Sequence, residues 1–395
     1  MKVAYYSPMP PETSGIADYS ALLLPALRDR IDVELVRRGR TRPPRGTDVS
    51  LYHVGNSPEA HGWIVDALRR QPGVVVLHEL VLHHLVAGLT IGRKDGPGYL
   101  AAMERDAGLP ARLLAHGVLE GRVPPPWETR PEDFPLAGEI LDRATGLIVH
   151  SRYVEEGARG LGYAGPLWRI PHPAWPAPAV EPARIEGTPV IGYFGHLNAS
   201  KRVPQLLEAF TRLPDGARLV LVGPVSPRFD LDGRLEKAGL LGSPALLREE
   251  YVPEERLWAL MAGCDVCVSL RAPTMGETSG TVMRALSLGK PLVVSDLGWF
   301  AELPDGVARK VPVGDGEVDA LVAALRDPPP PSHVPEEHRL EHVADLYAAA
   351  LEQAAGGEAV RDAVLAEVAR AAAEVGLSDE VTELGSRLRE VGLGE

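Results

Sequence analysis

The stretch DVCVSLRAPTMGETSGTVMRALSLGKPLVVSDLGWF, from Asp265 to Phe300, decides how the chain is read. A β-branched run, Val266 to Leu270, ends in a Pro-Thr-Met-Gly loop carrying one acid, Glu277. A helix is predicted to start at Thr278-Ser279-Gly280, and Gly289-Lys290-Pro291 hands over to another apolar run, Leu292 to Ser295. Alternating buried strands and helices build a parallel sheet. An acid at a strand's carboxyl end, beside a helix's amino end, suits a ligand bearing both hydroxyls and an anion. The carboxylate accepts from hydroxyls, while the unpaired N–H groups and the helix dipole attract negative charge. The plainer reading is an αβ turn with one surface Glu.

The same alternation runs outward in both directions. Strands are predicted at Val3–Ser7, Val33–Val36, Val49–Val54, Val74–His78, Gly146–His150 and Leu167–Ile170. Six more are predicted at Val190–Phe194, Arg218–Val222, Glu249–Val252, Val266–Leu270, Leu292–Ser295 and Ala308–Val311. The fold class is α/β, with two doubly wound Rossmann-like domains facing across a cleft. RIPHPAWPAPAVEPARIEGTP, Arg169 to Pro189, is proline-rich and lacks helical periodicity, as a stiff linker does. The expected division is a first domain over 1–172, a linker over 173–189, a second domain over 190–335 and terminal helices over 336–395. One helical stripe is expected through Leu340, Val343, Ala344, Tyr347 and Leu351. A second runs through Val360, Val364, Val368 and Val375, with a short helix after it. Self-association through this alanine-rich tail is one reading.

Composition narrows the classes. The chain has 395 residues, 24% charged and 45% hydrophobic, as a soluble globular protein does. Residues 336–395 carry −9 of the formal −13, and no extended basic face marks a nucleic-acid binder. The two cysteines, Cys264 and Cys267, form a lone CxxC beside a strand, which fits buried thiols better than a zinc site. MKVAYYSPMPP enters a strand directly, without a signal-peptide apolar region, so a cytoplasmic location is expected. Thirty-five Arg against six Lys fits a GC-rich genome or a thermophile. Arg37, Arg38, Arg40, Arg42 and Arg45 form a basic loop, either simply solvated or a peripheral contact with anionic lipid.

Several motifs carry chemistry. In YFGHLNASKRVPQLLEAF, Tyr193 to Phe210, a strand ends at Gly195, a loop carries His196 and Asn198, and Lys201-Arg202 open a helix. In SPMPPETSGIADYS, a strand ends and a Pro-rich loop reaches Ser14-Gly15, with Asp18 one helix turn further. GxGxxG is absent, so this is not a dinucleotide fingerprint. His78 ends the strand VVVLH, ahead of Glu79, His83 and His84. His78 and His83 are five apart, not the four of HExxH, so zinc is not assigned. Asp230-Leu231-Asp232 mimics DxD but reads as helix-start residues, and no metal is assigned there either.

These motifs resemble the GT-B-fold glycosyltransferases of family four, the glycosyl transferases group 1, across most of residues 1–355. The resemblance implies retaining, metal-independent transfer from a nucleotide-diphosphate sugar to a carbohydrate or lipid-linked acceptor, with no cofactor. It assigns Lys201 to the donor diphosphate, Glu277 to donor hydroxyls and His78 to the reacting centre. Gly15, Ser279, Gly280 and Thr281 would approach the diphosphate, and Val252 would read the base through its backbone. The resemblance also implies that the last helices pack back on the first domain. The chain departs from the family pattern at several positions: Ser14 replaces one family Gly, and Glu277 lies one position off the first family Glu. His196 stands where the family has Arg, with Arg202 as a substitute, and Arg284 stands where a second Glu would hold the ribose. Asp18 is either an acceptor ligand or a helix-start acid, and His78 either a site residue or a core histidine. A nucleotide-sugar epimerase of the same fold and a non-catalytic sugar-binding protein are the rival readings.

Overall fold

A computed structural model describes residues 1–12 and 14–374, without the side chains of 358–362 and 372–374. Two six-stranded sheets account for the predicted six and six. The first has the order β2-β1-β3-β4-β5-β6 and the second β12-β11-β10-β7-β8-β9, with every pairing parallel. The first-sheet strands are β1 (Lys2–Tyr6), β2 (Asp32–Leu35), β3 (Val49–Val54), β4 (Gly73–Leu77), β5 (Ala144–Val149) and β6 (Leu167–Arg169). The second sheet has β7 (Val190–Phe194), β8 (Arg218–Val222), β9 (Leu246–Glu249), β10 (Val266–Ser269), β11 (Leu292–Ser295) and β12 (Arg309–Val311). Central strands such as β3, β4 and β7 are buried along their whole length, because helices cover both faces of each sheet.

One strand departs from expectation. β9 lies at Leu246–Glu249, not at Glu249–Val252. Leu246 and Leu247 pair with Leu219 and Val220, whereas Tyr251 is 78% exposed and Pro253 opens the next turn. At this sheet edge, pairing rather than β propensity sets the register.

Each sheet reverses its winding once. The chain moves outward through β1 and β2, then returns to place β3 on the other side of β1. Likewise β7, β8 and β9 run one way before β10 docks on the opposite side of β7. Crevices form at such reversals, where neighbouring loops leave in opposite directions. The β7 and β10 loops carry Gly195–Lys201 and Arg271–Glu277, so the reversal alone gathers most of the chemistry read from the sequence.

The helix Leu340–Gly356 lies on the first lobe. Val343, Ala344, Tyr347 and Leu351 share one core with Leu23, Leu24 and Leu27 of the helix Gly15–Arg28. Tyr347 and Tyr19 exchange a buried hydroxyl contact of 2.7 Å, and Arg30 meets Asp345 at 2.6 Å. The next helix, Glu358–Glu374, leaves Val364 and Val368 exposed, so the expected apolar stripe is not buried there. The Val360 side chain, Val375 and the predicted final helix lie outside the described residues. Both cysteines are buried free thiols, and Cys264 donates to the Leu260 carbonyl at 3.2 Å.

Candidate functional site

The two lobes meet directly. The N–H groups of Leu80 and Val81 donate to the Met275 carbonyl at 2.8 and 3.0 Å. Glu302 accepts from the N–H groups of Arg152 and Tyr153, and Glu132 from Thr274. Gly276 is required at this seam: its φ is +82°, and a Cβ would lie 3.0 Å from the Leu80 and Val154 side chains. Beside the seam is a cleft of about 400 Å³.

Most of the sequence-selected residues line that cleft: Gly15 and His78 from the first lobe, and His196, Lys201, Glu277, Ser279, Gly280 and Thr281 from the second. The amino ends of two helices open into it. Ser14 caps Gly15–Arg28 by accepting from the Ala17 N–H, and Ser279 caps Gly280–Ser287 by accepting from the Val282 N–H. Each cap takes one donor, leaving other first-turn N–H groups free for an anion. The Lys201 ammonium has no acidic partner among the described residues, although its backbone is fixed by Asn198, whose side-chain oxygen accepts from the Lys201 N–H at 3.1 Å. His196 is exposed, and partial burial of its ring lowers its pKa.

Other selected residues are placed differently. Arg202 is held by Glu317, a nearly fully buried acid, and does not line the cleft. The pairing spans 115 residues and has no local signature. Val252 is half-buried against the second lobe's core and does not line the cleft. Asp18 sits outside the cleft lining, exposed, and pairs with Arg284 at 3.3 Å. Arg284 itself lines the cleft but is committed to neighbours. It is 8% exposed, stacks 3.9 Å from the Trp175 ring and reaches Glu254 at 3.7 Å. Trp175, Trp258 and Glu254 also border a side cavity of about 360 Å³. Asp230 caps the helix Leu231–Lys237 and Asp232 pairs with Arg248, so the DxD mimic does structural work. Among the described residues, no group of three His, Cys, Asp or Glu side chains is arranged to hold a metal ion.

Sequence reading missed two charged cleft residues. Arg271, 4% exposed, places its Nε 2.8 Å from Glu277 Oε1. That approach is poorly aligned, because Nε and Nη1 complete no hydrogen bond. Glu277 also accepts from the Met275 N–H at 2.8 Å, so this acid is ordered before any ligand arrives. Arg271 could have been suspected as a cation directly after a strand that ends at a ligand loop. Glu79 is the second. It accepts from the Asn56 N–H, and burial, with Glu277 facing it, pushes its carboxyl up to about 8.

His78 belongs to a buried histidine cluster. Its Nε2 lies 3.0 Å from His53 Nδ1, its ring is 5.0 Å from His150, and Tyr19 meets it edge-on at 4.8 Å. Burial holds His53 and His78 well below the usual imidazole range and brings His61 and His150 to about 4. All four rings are therefore neutral at pH 7.

Residues 188–327, which contain β7 to β12 and the Lys201 and Glu277 loops, match the family described as Glycosyl transferases group 1. The match is confined to the second lobe. It is 24% identical over 188 residues to the 2-deoxystreptamine glucosyltransferase of Streptomyces kanamyceticus. That match covers 44% of this chain and 48% of the other, so the chain spans about half the length of that curated relative. Among solved structures, sucrose-phosphate synthase from Thermosynechococcus elongatus superposes with a TM-score of 0.56 at 16% identity, over 95% of this chain and 100% of that one. Anabaena HepE in complex with UDP and glucose gives 0.53 at 15%, over 98% and 100%. The fold is GT-B, as the superposition on these structures shows. None of its described helices is long and apolar enough to cross a membrane.

Proposed function

We propose that this protein transfers a sugar from a nucleotide-diphosphate sugar to an acceptor hydroxyl, with retention and without a metal or other cofactor, in the cytoplasm. One observation carries the reading. The unpaired Lys201 ammonium, two helix amino ends and the ordered Glu277 carboxylate all face one cleft between the lobes. Departure of a diphosphate from a sugar turning cationic needs fixed positive charge at the phosphates, and preorganised groups supply it at little reorganisation cost. Lys201, the amino ends at Gly15 and Gly280, and the half-satisfied Arg271 are those groups. Arg271 offers a cation where His196 lacks one.

Glu277 holds donor hydroxyls, and His78 faces the reacting carbon. The leaving diphosphate oxygen takes the acceptor's proton on the sugar face from which it departs, which preserves the anomeric configuration. The side cavity bordered by Trp175, Trp258 and Glu254 takes the base and ribose, in place of the missing second family Glu. The uridine diphosphate and glucose carried by HepE, and the glucosyltransferase name of the curated relative, favour a UDP-glucose-like donor. A carbohydrate or lipid-linked hydroxyl is the acceptor.

The test is turnover of a panel of nucleotide sugars, with and without sugar acceptors, followed by release of the nucleoside diphosphate. Acceptor-dependent release that falls at least tenfold in Lys201→Ala is expected. Conversion of the donor to another sugar without any acceptor would replace this reading by epimerisation. Binding without turnover would replace it by a non-catalytic role.

A further inference from the structure

We infer that His53, wholly buried behind the cleft wall, fixes His78 as the Nδ1–H tautomer, so that His78 offers the cleft a hydrogen-bond donor rather than a base. The inference rests on the proposed function for the identity of the acceptor atom, a hydroxyl or ring oxygen of the sugar. The tautomer itself follows from hydrogen-bond accounting.

His53 Nδ1 and His78 Nε2 are 3.0 Å apart, and neither residue is more than 6% exposed. Both rings are neutral, so one nitrogen donates and the other accepts. His53 Nε2 is buried and has no partner among the described residues. If His78 donated, His53 would carry its only proton on that orphaned Nε2, and a buried N–H without an acceptor is among the rarest features of native proteins. If His53 donates, its Nε2 is a bare lone pair, which proteins tolerate better. The second arrangement is therefore the one the cluster supports. His150 repeats it: its Nδ1–H is spent on the Ile170 carbonyl at 2.8 Å, and its buried Nε2 is bare.

With Nε2 accepting, the His78 proton sits on Nδ1, which has no partner among the described residues, on a ring that lines the cleft. The other groups against the ring cannot redirect it. The Tyr19 hydroxyl is engaged by Tyr347, His61 donates its Nδ1–H to the His53 carbonyl, and His172 donates its own to the Pro173 carbonyl. His53 is thus a positioning residue that acts through His78.

Long-range ¹H–¹⁵N spectra of the histidine rings in the full chain at pH 7.5 test this directly. A protonated Nδ1 and a bare Nε2 on His78 are expected, and the reverse would overturn the proposal. With the best nucleotide sugar, His53→Leu is expected to lower kcat by about tenfold or more, with little change in KM. His53→Asn, whose amide N–H stands near an imidazole Nδ1, should recover most of that loss. Equal losses in both variants would reduce His53 to packing and overturn the proposal. If no nucleotide sugar turns over, the proposed function fails while the spectrum still decides the tautomer.

Discussion

Replacing Glu79 by Gln should stabilise this protein at pH 8 and leave it nearly unchanged at pH 5. Burial and the facing Glu277 raise the Glu79 carboxyl from 4.5 to about 8. A carboxyl whose folded pKa is raised stabilises fully below its unfolded value. That contribution is lost as pH rises through the folded one, because the folded state binds the extra proton. Between pH 5 and pH 8 the loss integrates to about 3.5 kcal/mol for a shift of this size. Cleft water reaches the partly exposed side chain, so about 2 kcal/mol is the working figure. Gln keeps the oxygen that accepts from the Asn56 N–H at 3.3 Å and cannot ionise. Urea unfolding of both proteins at the two pH values measures the difference. A Gln variant no more stable than the parent at pH 8 would refute the reasoning, and would mean that Arg271 keeps Glu79 ionised. The outcome bears on catalysis, since a neutral acid can donate to a sugar oxygen and a carboxylate cannot.

Acid should destabilise the first lobe through its buried histidines. The folded pKa values of His61, His83 and His150 are lowered to about 4, so the unfolded chain takes up protons first as pH falls below 6.5. Stability is complete above pH 6.5 and declines toward pH 4 by about 1.4 kcal/mol per unit for each such residue. A urea midpoint that does not move between pH 7.5 and 5 would contradict this. The Arg271–Glu277 pair should show a coupling of about 2 kcal/mol in a cycle of Arg271→Met and Glu277→Gln, since removing one partner strands a buried charge. A coupling below about 0.5 kcal/mol would leave the pair without energetic weight.

The architecture was legible in the sequence because both sheets are parallel and covered on both faces. Runs such as VVVL in β4 and LVLV in β8 are then continuously apolar, and Gly, Pro and Asp mark their ends. β9 was misplaced because its four residues are all half-buried and the edge carries little periodic signal. The cleft was legible where one loop holds the chemistry, as in Gly195, His196 and Lys201 and in Glu277 to Thr281. It was not legible where an interaction joins distant segments. Glu317 captures Arg202, Glu254 and Asp18 together hold Arg284, and His53, His78 and His150 meet only because β3, β4 and β5 are neighbours. Nothing local tells which acid an arginine will meet, so Arg202, which Glu317 holds, read as a phosphate ligand, and Arg271, which meets Glu277 in the cleft, did not.

The most direct measurement is a ³¹P NMR titration of UDP, ADP and GDP in turn against the full chain and against Lys201→Ala. With at least one of these diphosphates, a saturable shift of the β-phosphorus resonance is predicted for the native protein. It should be lost or strongly weakened in the variant, with circular dichroism unchanged. No shift with any of the three, or the same shift in both proteins, would contradict a diphosphate held at Lys201 between the lobes.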